Sequence, residues 1–173
     1  LSLALAQREQ PGESAAQAAA AYVQQPNHPS VRWHFALATE KSGAAPAKLA
    51  SFITPGPLQT IGRLASPSVW QRLLVGSAWG ISVAIGVMLY NAYRRRRPAL
   101  RWIAIGLLIA GGAAAGTATA GIIAYGSAAN RDAVIVARTT TLLSIPTEAD
   151  TTQKTSPLAA GSLALADREF LGW

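Results

Sequence analysis

The sequence has no cysteine. Disulfides, thiolate catalysis and cysteine-ligated metals are excluded with it, and the chain suits an oxidising compartment. Histidine is nearly missing too: His28 and His34 are the only two. They stand across a proline turn from each other, which is not the i, i+4 geometry of a helical metal pair. No glycine-rich stretch runs into Lys-Ser or Lys-Thr, so there is no phosphate loop. Charge is absent over two long stretches, residues 73–93 and 102–125. Neither holds a histidine, which excludes haem or chlorophyll held by an intramembrane imidazole. A proton relay or ion pathway there has no ionisable group to use. The expectation is a protein without catalytic residues, cofactor or metal.

Each uncharged stretch meets the length of about 20 apolar residues that a bilayer core requires of a helix. No period-two alternation appears in them, so helices rather than a barrel are predicted. Ser66-Pro67 marks the start of the first, with Ser as N-cap and Pro at the first helical position. Between the two lies Arg94-Arg95-Arg96-Arg97-Pro98-Ala99-Leu100-Arg101. Short basic loops stay cytoplasmic, which puts both termini outside, in the periplasm of a bacterial inner membrane. Trp70, Tyr90, Tyr93, Trp102 and Tyr125 stand at the span ends, where an amphipathic ring favours the headgroup level. The formal net charge is +7. Because Arg94, Arg95, Arg96, Arg97 and Arg101 crowd into one loop, the excess points to anionic lipid headgroups, not to nucleic acid. Ser77, Ser82, Asn91, Thr117 and Thr119 are polar span residues, expected to bond helix backbone or a neighbouring helix.

Small residues recur every four positions in both spans: Gly76, Gly80 and Ala84 in the first, Gly112, Gly116 and Ala120 in the second. Such ladders let helix backbones approach closely in lipid. They are expected to lie where two backbones touch, either within the hairpin or against another protein's helices.

The flanks are short. Residues 1–7 read either as the tail of a signal peptide, with Ala4-Leu5-Ala6 as its cleavage site, or as an apolar helix end of an earlier domain. The chain starts on Leu1, so a missing or processed amino end is expected. Gly12-Glu13-Ser14 precedes an Ala-rich helix over 15–24. Ser30 is read as the cap of a second helix over 31–42, stopped by Gly43, with Val31, Phe35 and Ala38 on one stripe and Trp33 and Leu37 on another. Beyond it come a short helix near 47–52, a break at 54–57 and an amphipathic segment 58–64. That segment, with Leu58, Ile61 and Leu64 on one face, is either interfacial or an ordinary linker. After Asn130, β-branched runs at 133–137 and 139–145 predict strands, 146–157 a polar loop, and 162–166 another strand. The predicted organisation is a helical flank over 1–65, a transmembrane hairpin over 66–130 and a small β segment over 131–173, a mainly α membrane protein.

This order of parts resembles the bacterial aerotolerance (Bat)-type membrane proteins that combine tetratricopeptide repeats, a two-helix anchor and an SH3-like domain. The residues that carry the likeness are Pro29-Ser30-Val31-Arg32 with Phe35-Ala36-Leu37-Ala38, then Ser66-Pro67-Ser68-Val69-Trp70-Gln71-Arg72-Leu73 and the Arg loop. They continue in 133–137, Leu142-Leu143-Ser144-Ile145-Pro146, Ala160-Gly161-Ser162 and Trp173. The resemblance implies a non-enzymatic scaffold in the cell envelope, with a partial SH3-like C-terminal flank and other membrane or periplasmic proteins as partners. No small-molecule substrate is expected. The rival expectation is a structural accessory subunit of a large membrane complex, respiratory or photosynthetic, whose helices and flanks pack on other subunits.

Overall fold

The structure is a computed structural model that describes residues 11–42, 46–94, 97–130, 132–143 and 155–166. Its helices are α1 (Pro11–Gln24), α2 (Pro29–Ser42), α3 (Ala47–Ala50), α4 (Pro57–Gly62), α5 (Pro67–Tyr93) and α6 (Pro98–Tyr125), followed by a 3-10 turn (Gly126–Ala129). Four short strands follow: β1 (Ala133–Ile135), β2 (Thr140–Leu143), β3 (Thr155–Leu158) and β4 (Leu163–Leu165). The fold is thus mainly helical with a small antiparallel sheet near the C-terminus. The signal-like tail, the stop at Gly43, most of the Thr-rich loop and Trp173 lie outside the described residues.

Proline opens five of these helices, at Pro11, Pro29, Pro57, Pro67 and Pro98. Its fixed φ and missing N–H suit the first helical position, where the N–H would have no intrahelical partner. This moves the start of α2 one step ahead of the expected cap: Ser30 lies inside the helix, and the His28 carbonyl accepts the Arg32 N–H at 3.1 Å. Ser66 has the extended backbone of an N-cap, but its Oγ lies 3.0 Å from Ser68 Oγ and caps no helix N–H.

On α1 the buried residues Ala15, Ala18, Ala19 and Tyr22 form one continuous helical stripe. It faces the Val31–Phe35–Ala38 stripe of α2, which the sequence predicted. Trp33, from the second expected stripe, is 60 % exposed instead. Leu58 and Ile61 of α4 pack inward while Leu64 points out, so the amphipathic face splits.

The long helices α5 and α6 lie side by side as a hairpin. Both are long and apolar enough to cross a membrane, at about 40 Å each by their rise per residue against a hydrocarbon core of about 30 Å. Only 11 % of each apolar window is buried within the protein. Their seam is regular: Trp70, Ser77 and Ala84 are buried on α5, and Ala104, Ala118 and Tyr125 on α6, with Gly111 between Ala104 and Ala118 against Ile81. Seven-residue steps of this kind keep one face of a helix on its neighbour along a left-handed pair.

The strands form an interrupted two-stranded ribbon. β1 pairs with β4 and β2 with β3, both antiparallel and both in the same register. The join is held by Val136 N–H donating to Ser162 O at 2.9 Å and Gly161 N–H donating to Val136 O at 2.7 Å. Gly161 takes φ +84 there, a left-handed conformation that glycine adopts without strain. β3 falls partly in the predicted polar loop; Pro157 removes a donor, which a two-stranded ribbon tolerates because one side of each strand is an edge.

One core joins all three stretches. It runs from Ala18, Ala19 and Tyr22 through Phe35, Leu49 and Phe52 to Trp70, Ala124, Tyr125 and Ala128, with Ile135 and Leu163 of the ribbon packed against it. An ion pair between Arg138 and Glu13 adds a surface tie between the ribbon and α1. The ribbon draws its apolar cover from the helices, and a two-stranded ribbon alone is at best marginally stable in water. Residues 133–173 expressed alone are expected to give no cooperative thermal transition by circular dichroism; a sigmoidal melt of that fragment would contradict this account.

Candidate functional site

The head, meaning everything beyond the first turn of α5 and the last turn of α6, is built on a file of aromatic rings. Tyr22 stacks on Phe35 with centroids 4.9 Å apart, Tyr22 meets Phe52 at 5.6 Å, and Phe52 meets Tyr125 at 4.8 Å. The file crosses from α2 through α1 and the turn after α3 to the end of α6. Its lower end is pinned to the connection before α5. Trp70 Nε1–H donates to Gly62 O at 3.2 Å, and the Tyr125 hydroxyl lies 3.3 Å from the same oxygen and 3.2 Å from Ala65 O.

Trp70 and Tyr125 were expected to face lipid headgroups. The structure corrects this: they are 5 % and 0 % exposed, inside the protein. The reason is local. Gly121 offers no side chain where the Trp70 indole lies, and a Cβ there would stand 2.6 Å from the ring. Gly62 likewise sits where a Cβ would stand 2.8 Å from Ala124 Cβ. Tyr90, Tyr93 and Trp102, at the opposite end, are exposed.

The four-step ladders are placed differently from the seam. Ala84 is fully buried in it and Ala120 half-buried. A Cβ at Gly76, Gly80, Gly112 or Gly116 would meet nothing within 4 Å. These glycines therefore do not touch the partner helix of the hairpin; they face outward along both helices. The close approach inside the hairpin belongs to Gly111, where a Cβ would stand 2.8 Å from Ile81 Cγ1 and 3.5 Å from Ser77 O.

The span hydroxyls bond their own helices, as predicted. Ser77, Ser82, Thr117 and Thr119 donate to the carbonyls of Leu74, Ala78, Ala113 and Ala115 at 2.7–2.9 Å. Asn91 closes the loop instead: its Oδ1 accepts the Arg97 N–H at 2.7 Å, just ahead of Pro98. Arg94, Arg97 and Arg101 are exposed, and a cleft of about 520 Å³ opens between Met88, Asn91, Ala92, Arg97, Pro98 and Arg101. The side chains of Arg95 and Arg96 lie outside the described residues.

A second basic place lies in the head, and the sequence did not single it out. A cleft of about 290 Å³ is walled by Tyr22, Phe35, Phe52 and Ile53, with Arg32, Trp33 and Arg63 at its edges. Tyr22 is buried, and its hydroxyl has no hydrogen-bond partner among the described residues. Burial pushes that hydroxyl up to about 12, against the opposing pull of Arg63 and Arg32, so it stays a neutral O–H donor at physiological pH. Neither arginine pairs with a carboxylate among the described residues, where the one ion pair is Arg138–Glu13. Tyr22 is the one aromatic residue of the Ala-rich helix, the only sign of this site that the sequence carried.

His28 lies in the turn before α2, and the His34 ring stands edge-on to Trp33 at 5.0 Å. Among the described residues no three His, Asp or Glu side chains gather in a way that could hold a metal ion. No protein-family model matches this chain, and comparison with curated proteins and with solved structures gave no match.

Proposed function

We propose that this protein is a non-enzymatic, two-pass anchor of the bacterial inner membrane, with the Arg loop in the cytoplasm and the head in the periplasm, and that the head binds other envelope proteins. The observation that carries the reading is the contrast between the middle of the hairpin and its two ends. The apolar sides of α5 and α6 are left open over a length that matches a bilayer core, while polar and basic groups collect at both ends. A pair of core helices in a water-soluble protein would have its apolar surface covered. The orientation rests on the loop arginines. The scaffold reading, with the helical flank as a repeat-like unit and the ribbon as part of an SH3-like domain, rests on the sequence likeness to Bat-type proteins.

Topology tests the anchor. A protease-cleavable tag after Trp173 should be cut from outside in intact spheroplasts, and a tag in the 94–97 loop should be protected. Replacing Arg94, Arg95, Arg96 and Arg97 by Gln should give a mixture of both orientations, because those residues carry most of the charge bias. Equal protection of both tags in wild-type cells, with the protein in the soluble fraction, would overturn the reading.

The outward placement of Gly76, Gly80, Gly112 and Gly116 favours a second reading, an accessory subunit whose open glycine faces pack on other subunits' helices. A mild-detergent native gel with mass spectrometry separates the two. A subunit co-migrates at fixed stoichiometry with one large complex, whereas a scaffold runs alone or with substoichiometric partners.

A further inference from the structure

Among the described residues, the head holds two half-buried arginines without acidic partners, Arg32 and Arg63, beside a buried tyrosine hydroxyl without a hydrogen bond. An unpaired buried hydroxyl costs free energy, and half-buried guanidinium groups lose part of their hydration with nothing in return. All three belong to one cleft, and the fields of both arginines act on the Tyr22 hydroxyl. Donors without acceptors in one place are complementary to an oxyanion. Guanidinium is suited to phosphate because its planar fork gives two parallel N–H donors.

The level of the cleft narrows the source. Arg63 directly follows Gly62, whose carbonyl is held by Trp70 in the first turn of α5 and by Tyr125 at the last residue of α6. The last charged residue before the uncharged stretch of α5 is Arg72, in the second turn of that helix. Arg63 therefore stands at the head-side boundary of the apolar spans, the level of lipid phosphates. The rim of the cleft carries Trp33 and Ile53, 60 % and 41 % exposed. An exposed Trp beside an exposed Ile suits a site that is half in headgroups and half in acyl chains. A soluble acidic peptide would have to enter through the headgroup layer to reach the same arginines.

We propose that Arg32, Arg63 and Tyr22 form a seat for the phosphate of an anionic glycerophospholipid in the leaflet opposite the Arg loop. This rests on the two-pass membrane reading. The phosphate oxygens accept N–H donors from both guanidinium groups, the Tyr22 O–H lies behind them as a further donor, and Trp33 and Ile53 flank the glycerol and upper acyl chain. The lipid wedges between α2 and the loop before α5, and so ties the head to the membrane surface as well as to its own helices. A basic place at each end of the hairpin gives two separate lipid sites, the cytoplasmic one around Arg97 and Arg101.

The test is native mass spectrometry of the full-length protein released from nanodiscs of phosphatidylcholine with phosphatidylglycerol. Wild type should retain phosphatidylglycerol at two sites of different affinity. Arg32→Gln/Arg63→Gln should weaken the head site on the order of tenfold, since each change removes a charge-assisted contact. Arg97→Gln/Arg101→Gln should remove the other site and leave this one, and Arg32→Lys/Arg63→Lys should restore part of the head site. Unchanged retention in Arg32→Gln/Arg63→Gln overturns the proposal. So does displacement of nothing but inorganic phosphate, which would make the seat one for the free ion. Binding of a soluble poly-glutamate peptide through Arg32 and Arg63, with no lipid retained there, overturns it in favour of an acidic protein partner. If Arg32→Gln/Arg63→Gln does not fold, the wild-type protein decides: a spin-labelled phosphatidylglycerol headgroup should broaden the Trp33 indole signal more than a spin-labelled phosphatidylcholine does, and equal broadening overturns the proposal. Failure of the membrane reading looks different, as wild-type protein that does not enter nanodiscs at all.

Discussion

Gly121→Leu lowers the thermal midpoint of the purified protein in detergent far more than Gly112→Leu or Gly116→Leu. At Gly121 even a Cβ would stand 2.6 Å from two atoms of the Trp70 ring, in a place where the indole is locked by its hydrogen bond to Gly62 O. The ring cannot swing away without breaking that bond and uncovering the core below it. The loss should reach the upper end of the ~1–3 kcal/mol found for overpacked sites. At Gly112 and Gly116 an added Cβ would meet nothing within 4 Å, so the isolated protein should keep its stability. Those two variants still have a use: if they release a co-purifying partner while the midpoint stands, the outward faces are docking surfaces for other helices. Equal loss of stability at 112, 116 and 121 would show that the seam has been placed on the wrong sides of α5 and α6.

Phe52→Ala should be the most damaging truncation in the head, at about 3–5 kcal/mol, the usual cost of a deleted buried phenyl with its cavity. Phe52 is the shared neighbour of Tyr22 and Tyr125, and its edge lies where a Cβ on Gly62 would stand 3.1 Å away. Losing it separates the helical flank from the end of α6. Tyr125→Phe makes the contrast. It keeps the ring contact with Phe52 but takes the hydroxyl away from Gly62 O and Ala65 O; Gly62 O keeps the Trp70 indole N–H and the Ala65 N–H as donors, and the change should cost roughly 1 kcal/mol. The readout is the thermal transition together with protease accessibility of residues 25–29. Phe52→Ala should speed cleavage in that turn as α1 and α2 come away; cleavage at the wild-type rate would mean that the flank is held by something other than the aromatic file.

The hairpin was legible because its signal is long and negative. Two stretches without charge and one dense basic loop survive any uncertainty about single residues. The seam inside it was not. Gly76, Gly80, Gly112 and Gly116 stand out by residue type, but a four-step ladder does not say what it faces. The series that does pack, Trp70, Ser77 and Ala84 against Ala104, Gly111 and Ala118, mixes an indole, a hydroxyl and methyl groups. Its seven-residue step is hidden by that variety. Trp70 and Tyr125 were misread because a ring at the end of an apolar span favours headgroups unless something covers it, and the cover comes from residues 52–65 and from Gly121. The cleft of Arg32, Arg63 and Tyr22 was beyond the sequence for the same reason: three elements supply it, and no spacing rule links them. β3 was hidden by Pro157, which argues against a strand until the strand is known to have a free edge.

The core that unites the flanks also sets an order of events during synthesis. The aromatic face of α1 and α2 waits for Tyr125, Ala128 and Ala129, residues made about a hundred positions later. Until α6 is in place, Tyr22 and Phe35 have only each other, Leu49 and Phe52 from this core, and lack the part of it that Tyr125, Ala128 and Ala129 supply. The core therefore closes like a clasp: α1 and α2 stay partly open while both long helices are made, and shut only when the last turn of α6 arrives. That interval exposes the amino-terminal pair to proteases and holding factors, and any delay in seating α6 lengthens it.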